Sequence, residues 1–171
     1  MAPGRPRPCV AVVGAAEPDP GLAEQAYRVG ALVARAGAVV VTGGLGGVME
    51  AASRGAAEAG GLAVGLLPGG DRRAANPWVG LALPTGLGEA RNVLVVRAAD
   101  AVVAVGGGYG TLSEVALALK LGRPVVGLGT WGLLRPDGQP DPGVVPASDP
   151  ESAVGAALAL AGIRPPAPPD G

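Results

Sequence analysis

The chemistry this sequence can offer is concentrated in Arg91, Glu114 and the glycine run between them. From Gly106 to Glu114 the chain reads GGGYGTLSE. The apolar run before it, Ala101 to Val105, is too short for a helix and reads as a buried parallel strand. A helix-type pattern begins at Thr111. A strand that ends in glycines and runs into a helix leaves unpaired backbone N–H groups and the positive end of a helix dipole at one corner, where an anion fits. Gly107, Gly108, Tyr109, Gly110 and Thr111 are therefore candidate binding residues. The glycines match neither common phosphate code. There is no G-x-x-x-x-G-K-[ST], and positions 106, 107, 108 and 110 do not spell G-x-G-x-x-G.

Each candidate side chain has two readings. Thr111-x-x-Glu114 has the spacing of a capping box. Glu114 also sits one turn from the anion corner, where a carboxylate can accept the hydroxyls of a sugar. Arg91, in GLGEARNVLVV, is either on a solvated helix face or turns its planar fork toward the anion. Met49 and Glu50 read as packing and helix-start charge. Asp71, Arg72, Arg73 and Asn76 read as a solvated loop, or one that folds over a ligand.

The composition removes several chemistries. There is no histidine, so Ser-His-Asp and Cys-His nucleophiles are out and zinc lacks its usual ligands; no metal site is expected. One cysteine, Cys9, allows no internal disulfide and suits a reducing, cytoplasmic compartment. The formal charge of −1, with signs interspersed, gives no cationic face for nucleic acid. No apolar run is long enough to cross a membrane. Met1 to Ala16 superficially resembles a signal peptide but reads better as an arm followed by a first strand.

The elements that must position these residues alternate between strand and helix. Strands are expected at Cys9–Val13 (ending at Gly14), Ala38–Val41, Leu62–Leu67, Val79–Leu83, Ala101–Val105 and Pro124–Leu128. Helices are expected over Leu22–Ala36, Val48–Ala59, Gly88–Ala98, from Thr111 to the stop at Gly122, and over Pro150–Ala161. Thr130 to Asp149 reads as loop. The expected architecture is a single α/β Rossmann-like domain over residues 1–164, with a parallel sheet flanked by helices and a disordered tail over 165–171. In such sheets ligands lie at the carboxyl ends of strands, near the reversal of strand order. The glycine-bearing ends at Gly14, Gly43-Gly44 and Gly106–Gly108 are expected to share that crevice.

Two motifs carry a family resemblance. GEARN before an apolar strand, followed by GGGYGTLSE, resembles the R-K … P-G-G-x-G-T-x-x-E signature of the Lonely Guy (LOG) family, phosphoribohydrolases often mislabelled lysine decarboxylases. TGGLGGVMEAASRGA resembles that family's G-G-G-x-x-G-x-M motif. The whole pattern is similar to a bacterial branch that also resembles molybdenum-cofactor carrier proteins. The resemblance implies that Gly108, Gly110 and Thr111 hold a 5′-phosphate, that Glu114 contacts the ribose and that Arg91 assists catalysis. It further implies a homodimer or homotetramer.

The departures from the pattern are Asn92 in place of lysine, Gly106 in place of proline, and VALALKLG after Glu114 in place of a Thr-Trp-x-Gln stretch. Asn92 joins the candidate binding residues, and Gly106 is expected to loosen its turn. Lysine decarboxylation is not expected, because the one lysine, Lys120, lies roughly 13 Å along the helix from Thr111. The first functional expectation is binding of a nucleoside 5′-monophosphate, with hydrolysis of its N-glycosidic bond and no required cofactor. The alternative is a carrier that holds a pterin phosphate such as molybdenum cofactor without turnover.

Overall fold

The computed structural model describes residues 6–164. The expectations for residues 165–171 and for the first five residues lie outside that range. Seven parallel strands form one sheet: β1 (Cys9–Gly14), β2 (Val39–Thr42), β3 (Ala63–Leu67), β4 (Leu81–Pro84), β5 (Ala101–Val105), β6 (Val125–Leu128) and β7 (Val144–Ala147). Their order is β4-β3-β2-β1-β5-β6-β7. The chain leaves β1 toward one edge, then returns to start the other half with β5. The order therefore reverses between β1 and β5, whose last residues, Gly14 and Val105, are paired. The edge strands β4 and β7 each carry a proline, Pro84 and Pro146.

Helices cover both faces: α1 (Pro20–Arg35), α2 (Val48–Glu58), α3 (Asn92–Arg97), α4 (Tyr109–Lys120) and α5 (Pro150–Leu160). Alternation along β1 separates the two cores. Val10 and Val12 face α1, α2 and α5; Ala11 and Val13 face α3 and α4. The core is built almost entirely of valine, alanine and leucine, so close backbone approach replaces large side chains. The crossing of α1 and α2 shows this. A Cβ at Gly30 would collide with the Ala52 carbonyl, and one at Gly55 with the Tyr27 carbonyl.

Three elements differ from expectation. The helix expected over Gly88–Ala98 is a 3-10 turn at Gly88–Arg91 followed by a six-residue α3. Gly86 and Gly88 both have positive φ (67° and 57°), so the segment turns before it can wind. The strand expected at Val79–Leu83 lies at Leu81–Pro84, because Val79 N–H donates to the Asn76 carbonyl in a turn. The loop expected over Thr130–Asp149 contains β7. Its alternation is interrupted by Pro146, and only its pairing with β6 makes it a strand.

The α1–α2 crossing yields a paired expectation. Gly55→Ala should destabilise by about 1–3 kcal/mol through overpacking. Gly155→Ala, on an exposed face of α5 with open space around it, should stabilise by about 1 kcal/mol. Urea unfolding of both variants measures this; a harmless Gly55→Ala would show that the crossing is not tight.

Candidate functional site

A cleft of about 1030 Å³ opens at the carboxyl ends of β1 and β5, near the upper end of the roughly 300–1,000 Å³ usual for small-molecule sites. Three segments build it: the turn after β1 (Gly14–Glu17), the 3-10 turn and start of α3 (Glu89–Val93), and the first turns of α4 (Gly108–Glu114). Gly43, Leu45, Met49 and Pro68 close one side.

The turn into α4 begins at Gly106, which has φ 56°. A proline ring cannot adopt that angle, so this turn differs in kind from the proline-bearing one of the resembled signature. It is not loosened, contrary to expectation. Gly106 N–H donates to the Leu128 carbonyl at 2.9 Å, and its own carbonyl accepts from Thr130 Oγ1 at 2.6 Å. Gly107 follows with φ 112° and lies against Thr111, where a Cβ would collide with that side chain. Gly108 is the N-cap of α4 and supplies no capping side chain. The N–H groups of the first turn therefore lack a side-chain cap where the cleft begins.

The helix starts two residues earlier than the sequence pattern suggests, at Tyr109. Thr111 is thus inside the first turn rather than ahead of it, and no side-chain cap forms. The capping-box reading is corrected accordingly. Glu114 sits in the second turn, its side chain 10% exposed, with Oε1 at 3.7 Å from a terminal nitrogen of Arg91. That is an ion pair without a hydrogen bond.

Arg91 is equally buried, at 10% side-chain exposure, so the solvated-face reading gives way. Its guanidinium lies flat against Gly43, where any Cβ would collide with it. One terminal nitrogen donates to Asn92 Oδ1 at 2.9 Å. Asn92 in turn donates from Nδ2 to Ser113 Oγ at 3.3 Å, and Ser113 Oγ donates to the Gly110 carbonyl at 2.7 Å. Asn92, standing where the resembled signature has lysine, thereby links α3 to α4. Among the described residues, Arg91 Nε is the one buried side-chain N or O atom without a hydrogen-bond partner. An unmet buried donor costs about 1–3 kcal/mol.

Burial outweighs mutual attraction for both members of the pair. It pushes the Glu114 carboxyl up to about 7, with Arg91 opposing the rise. It also pulls the Arg91 guanidinium below its ordinary value, against the pull of Glu114 and Glu89.

Of the sequence-predicted site residues, Gly14, Gly43, Arg91, Asn92, Gly108, Tyr109, Gly110, Thr111 and Glu114 line the cleft. Gly44 and Gly107 do not. Gly44 packs on Gly65 and Leu67, and Gly107 packs on Thr111. Met49 lines the cleft, whereas Glu50 borders a separate shallow groove beside Arg54. Asp71, Arg72, Arg73 and Asn76 stay outside it. Asn76 instead ties its loop down, donating to the Leu45 carbonyl at 2.9 Å from Nδ2. Ser113 and Glu17 were not anticipated as lining residues. The position of Ser113 directly before Glu114 is the available signal for it; nothing in the sequence marks Glu17. Among the described residues, no cluster of His, Cys, Asp and Glu could hold a metal ion, and no helix is long and apolar enough to cross a membrane.

The raised Glu114 value has a defined sign. Its stabilising contribution is complete below the unfolded value of 4.5 and is lost as pH rises toward about 7. Glu114→Gln, which cannot ionise, should escape that loss. By pH 8 the variant should exceed the parent by up to roughly 3 kcal/mol, and at pH 4.5 the two should be close. Urea unfolding at both pH values measures this; parallel pH profiles would overturn it.

Comparison with known proteins agrees with this fold. Residues 7–154 match the model of the SLOG cluster4 family. An uncharacterized protein of Archaeoglobus fulgidus is 48% identical over 119 residues, 70% of this chain and 78% of that protein. Among solved structures, the molybdenum cofactor binding protein of Rippkaea orientalis superposes with a TM-score of 0.81 at 40% identity, covering 91% of this chain and 98% of its own. The Moco carrier protein of Chlamydomonas reinhardtii gives 0.77 at 36% identity, with the same coverage. A cleft at the β1–β5 reversal, an α4 without a side-chain cap and a family model spanning most of the chain lead to one conclusion: this chain belongs to the SLOG cluster4 family, a LOG-like branch whose solved neighbours include molybdenum-cofactor carriers.

Proposed function

We propose that this chain binds a phosphorylated pterin of the molybdenum-cofactor type and holds it without turnover. The observation that carries the reading is the start of α4, whose first turn has no side-chain cap and borders a cleft that the buried Arg91 also lines. A phosphate oxygen is a suitable acceptor there: Gly108, Gly110 and Thr111 would supply N–H groups and the Arg91 guanidinium the opposite charge. The pterin is favoured over a nucleotide by the molybdenum cofactor binding protein and the Moco carrier protein, each similar over 91% of this chain. The fit is chemical as well. An amide cradle and a guanidinium bind a terminal phosphate, and a cleft of about 1030 Å³ admits a multi-ring ligand.

The second reading is hydrolysis of a nucleoside 5′-monophosphate, in which water adds at the anomeric carbon and the base leaves with a proton. Glu114 beside Arg91 favours it. A carboxylate near the ribose stabilises an oxocarbenium-like transition state, provided it is ionised. Burial pushes the Glu114 carboxyl up to about 7, favouring its neutral form, and Asn92 adds no charge. Both features weigh toward holding rather than cleaving. As part of the same proposal the chain works as a homodimer or homotetramer in the cytoplasm, where the free thiol of Cys9 fits, and nucleic acid has no part.

The test mixes purified protein with cofactor released from a molybdenum enzyme, then separates them by gel filtration. Pterin fluorescence after oxidation should follow the protein peak near one equivalent per chain. AMP offered to the same preparation should yield no free base. Gly108→Leu projects into open space from an ordinary backbone angle, so it should fold with unchanged melting temperature yet lose pterin retention at least tenfold. Absence of pterin from the protein peak overturns the proposal, and base release that Glu114→Gln abolishes would favour the hydrolase.

A further inference from the structure

The chain contains two tryptophans, two tyrosines and no phenylalanine. One tyrosine and one tryptophan meet at the cleft. Tyr109, the first residue of α4, lines the cleft and is 83% exposed, the most exposed large apolar side chain among the described residues. Its ring is not free to wander. Trp131, in the segment after β6, lies against it with ring centroids 5.7 Å apart and planes tilted by 32°. Trp131 is itself anchored, its indole N–H donating to the Gly108 carbonyl at 3.1 Å. Thr130, the residue before it, donates to the Gly106 carbonyl at 2.6 Å. The loop that makes the anion corner therefore also holds the aromatic pair.

An exposed ring fixed by a second ring has little conformational freedom left to lose when a third ring stacks on it. The other tyrosine is used differently: Tyr27 sits under Arg54 and donates to Glu58 on the far side of the fold, away from any cleft-lining residue. We propose that Tyr109, backed by Trp131, is the stacking face for the fused heterocycle of the ligand whose phosphate is held at the start of α4. The inference rests on the phosphorylated-pterin reading and adds to it a subsite for the ring. Arg91 and the amides of Gly108–Thr111 take the charge, and Tyr109 takes the flat face. Trp131 is a positioning residue that acts through Tyr109.

The test uses the full chain and two probes: molybdenum cofactor released from a donor enzyme, and ribose 5-phosphate, which carries a phosphate and no aromatic ring. Tyr109→Ala should weaken cofactor binding roughly ten- to a hundredfold, the usual loss when a stacking aromatic is truncated. It should leave ribose 5-phosphate affinity within twofold. Tyr109→Phe should bind both probes as the parent does. In a Trp78→Phe background, where Trp131 is the sole indole, the cofactor should quench its fluorescence and ribose 5-phosphate should not.

The outcomes separate. If the parent binds cofactor and Tyr109→Ala binds it equally well, the stacking face is wrong and the phosphate site stands. If Tyr109→Ala weakens both probes alike, the residue serves the phosphate corner and the proposal fails. A smaller assembly on gel filtration for Tyr109→Ala, with cofactor binding per chain retained, would mark the pair as a contact between copies and overturn it as well. If the parent binds neither probe, the stacking face and the pterin reading fall together.

Discussion

The site depends on a buried guanidinium that the protein does not fully satisfy. Arg91 lies flat on the backbone at Gly43, has one good hydrogen bond to Asn92, and pairs loosely with Glu114 at 3.7 Å. A charge held this way is expensive in the empty protein, because desolvation is only partly offset by the nearby carboxylate. The surrounding construction follows from keeping it there. The residue facing it must lack a side chain, the segment carrying it turns as a 3-10 helix before winding into α3, and α4 begins early enough to bring Glu114 alongside.

Glycine does two different jobs in this fold, and they are separated in space. Between α1 and α2 it lets backbones touch, which gives a chain rich in alanine and valine a tight interior without bulky side chains. At the ends of β2 and β5 it clears room beside Arg91 and permits a turn with positive φ at Gly106 and Gly107. The first use closes the packing between the two helices on one face of the sheet. The second leaves the donors of α4 without a side-chain cap.

Much of this is legible in the amino-acid sequence. The alternation of short apolar runs and helical spacing gave the parallel sheet, and β5 was read at its observed bounds, because a strand buried on both faces is a continuous apolar run. The glycine-bearing strand ends pointed to the corner where the cleft opens, which Gly14, Gly43 and Gly108 line. What escaped was decided by packing, most of it between segments distant in sequence. Strand β7 exists through its pairing with β6, and Pro146 hides it. The true start of α4 depends on Gly107 packing against Thr111, which the T-x-x-E spacing disguised as a cap. The burial of Arg91 is invisible in sequence because an arginine's default is solvent; only the empty side of Gly43 makes room for it. The tie between Trp131 and Gly108 joins segments from different strands, so no local pattern could have shown it.

The prolines of the two edge strands have a consequence for assembly. Thr85 N–H points inward to the Leu67 carbonyl at 3.0 Å, so the preceding position, Pro84, faces outward with no hydrogen to donate. Pro146 likewise removes a donor from β7. Borders interrupted in this way are poor templates for an eighth strand, whether from a second molecule or from a misfolded neighbour. Growth of the sheet past either border is thereby disfavoured, and the seven strands stand as a unit.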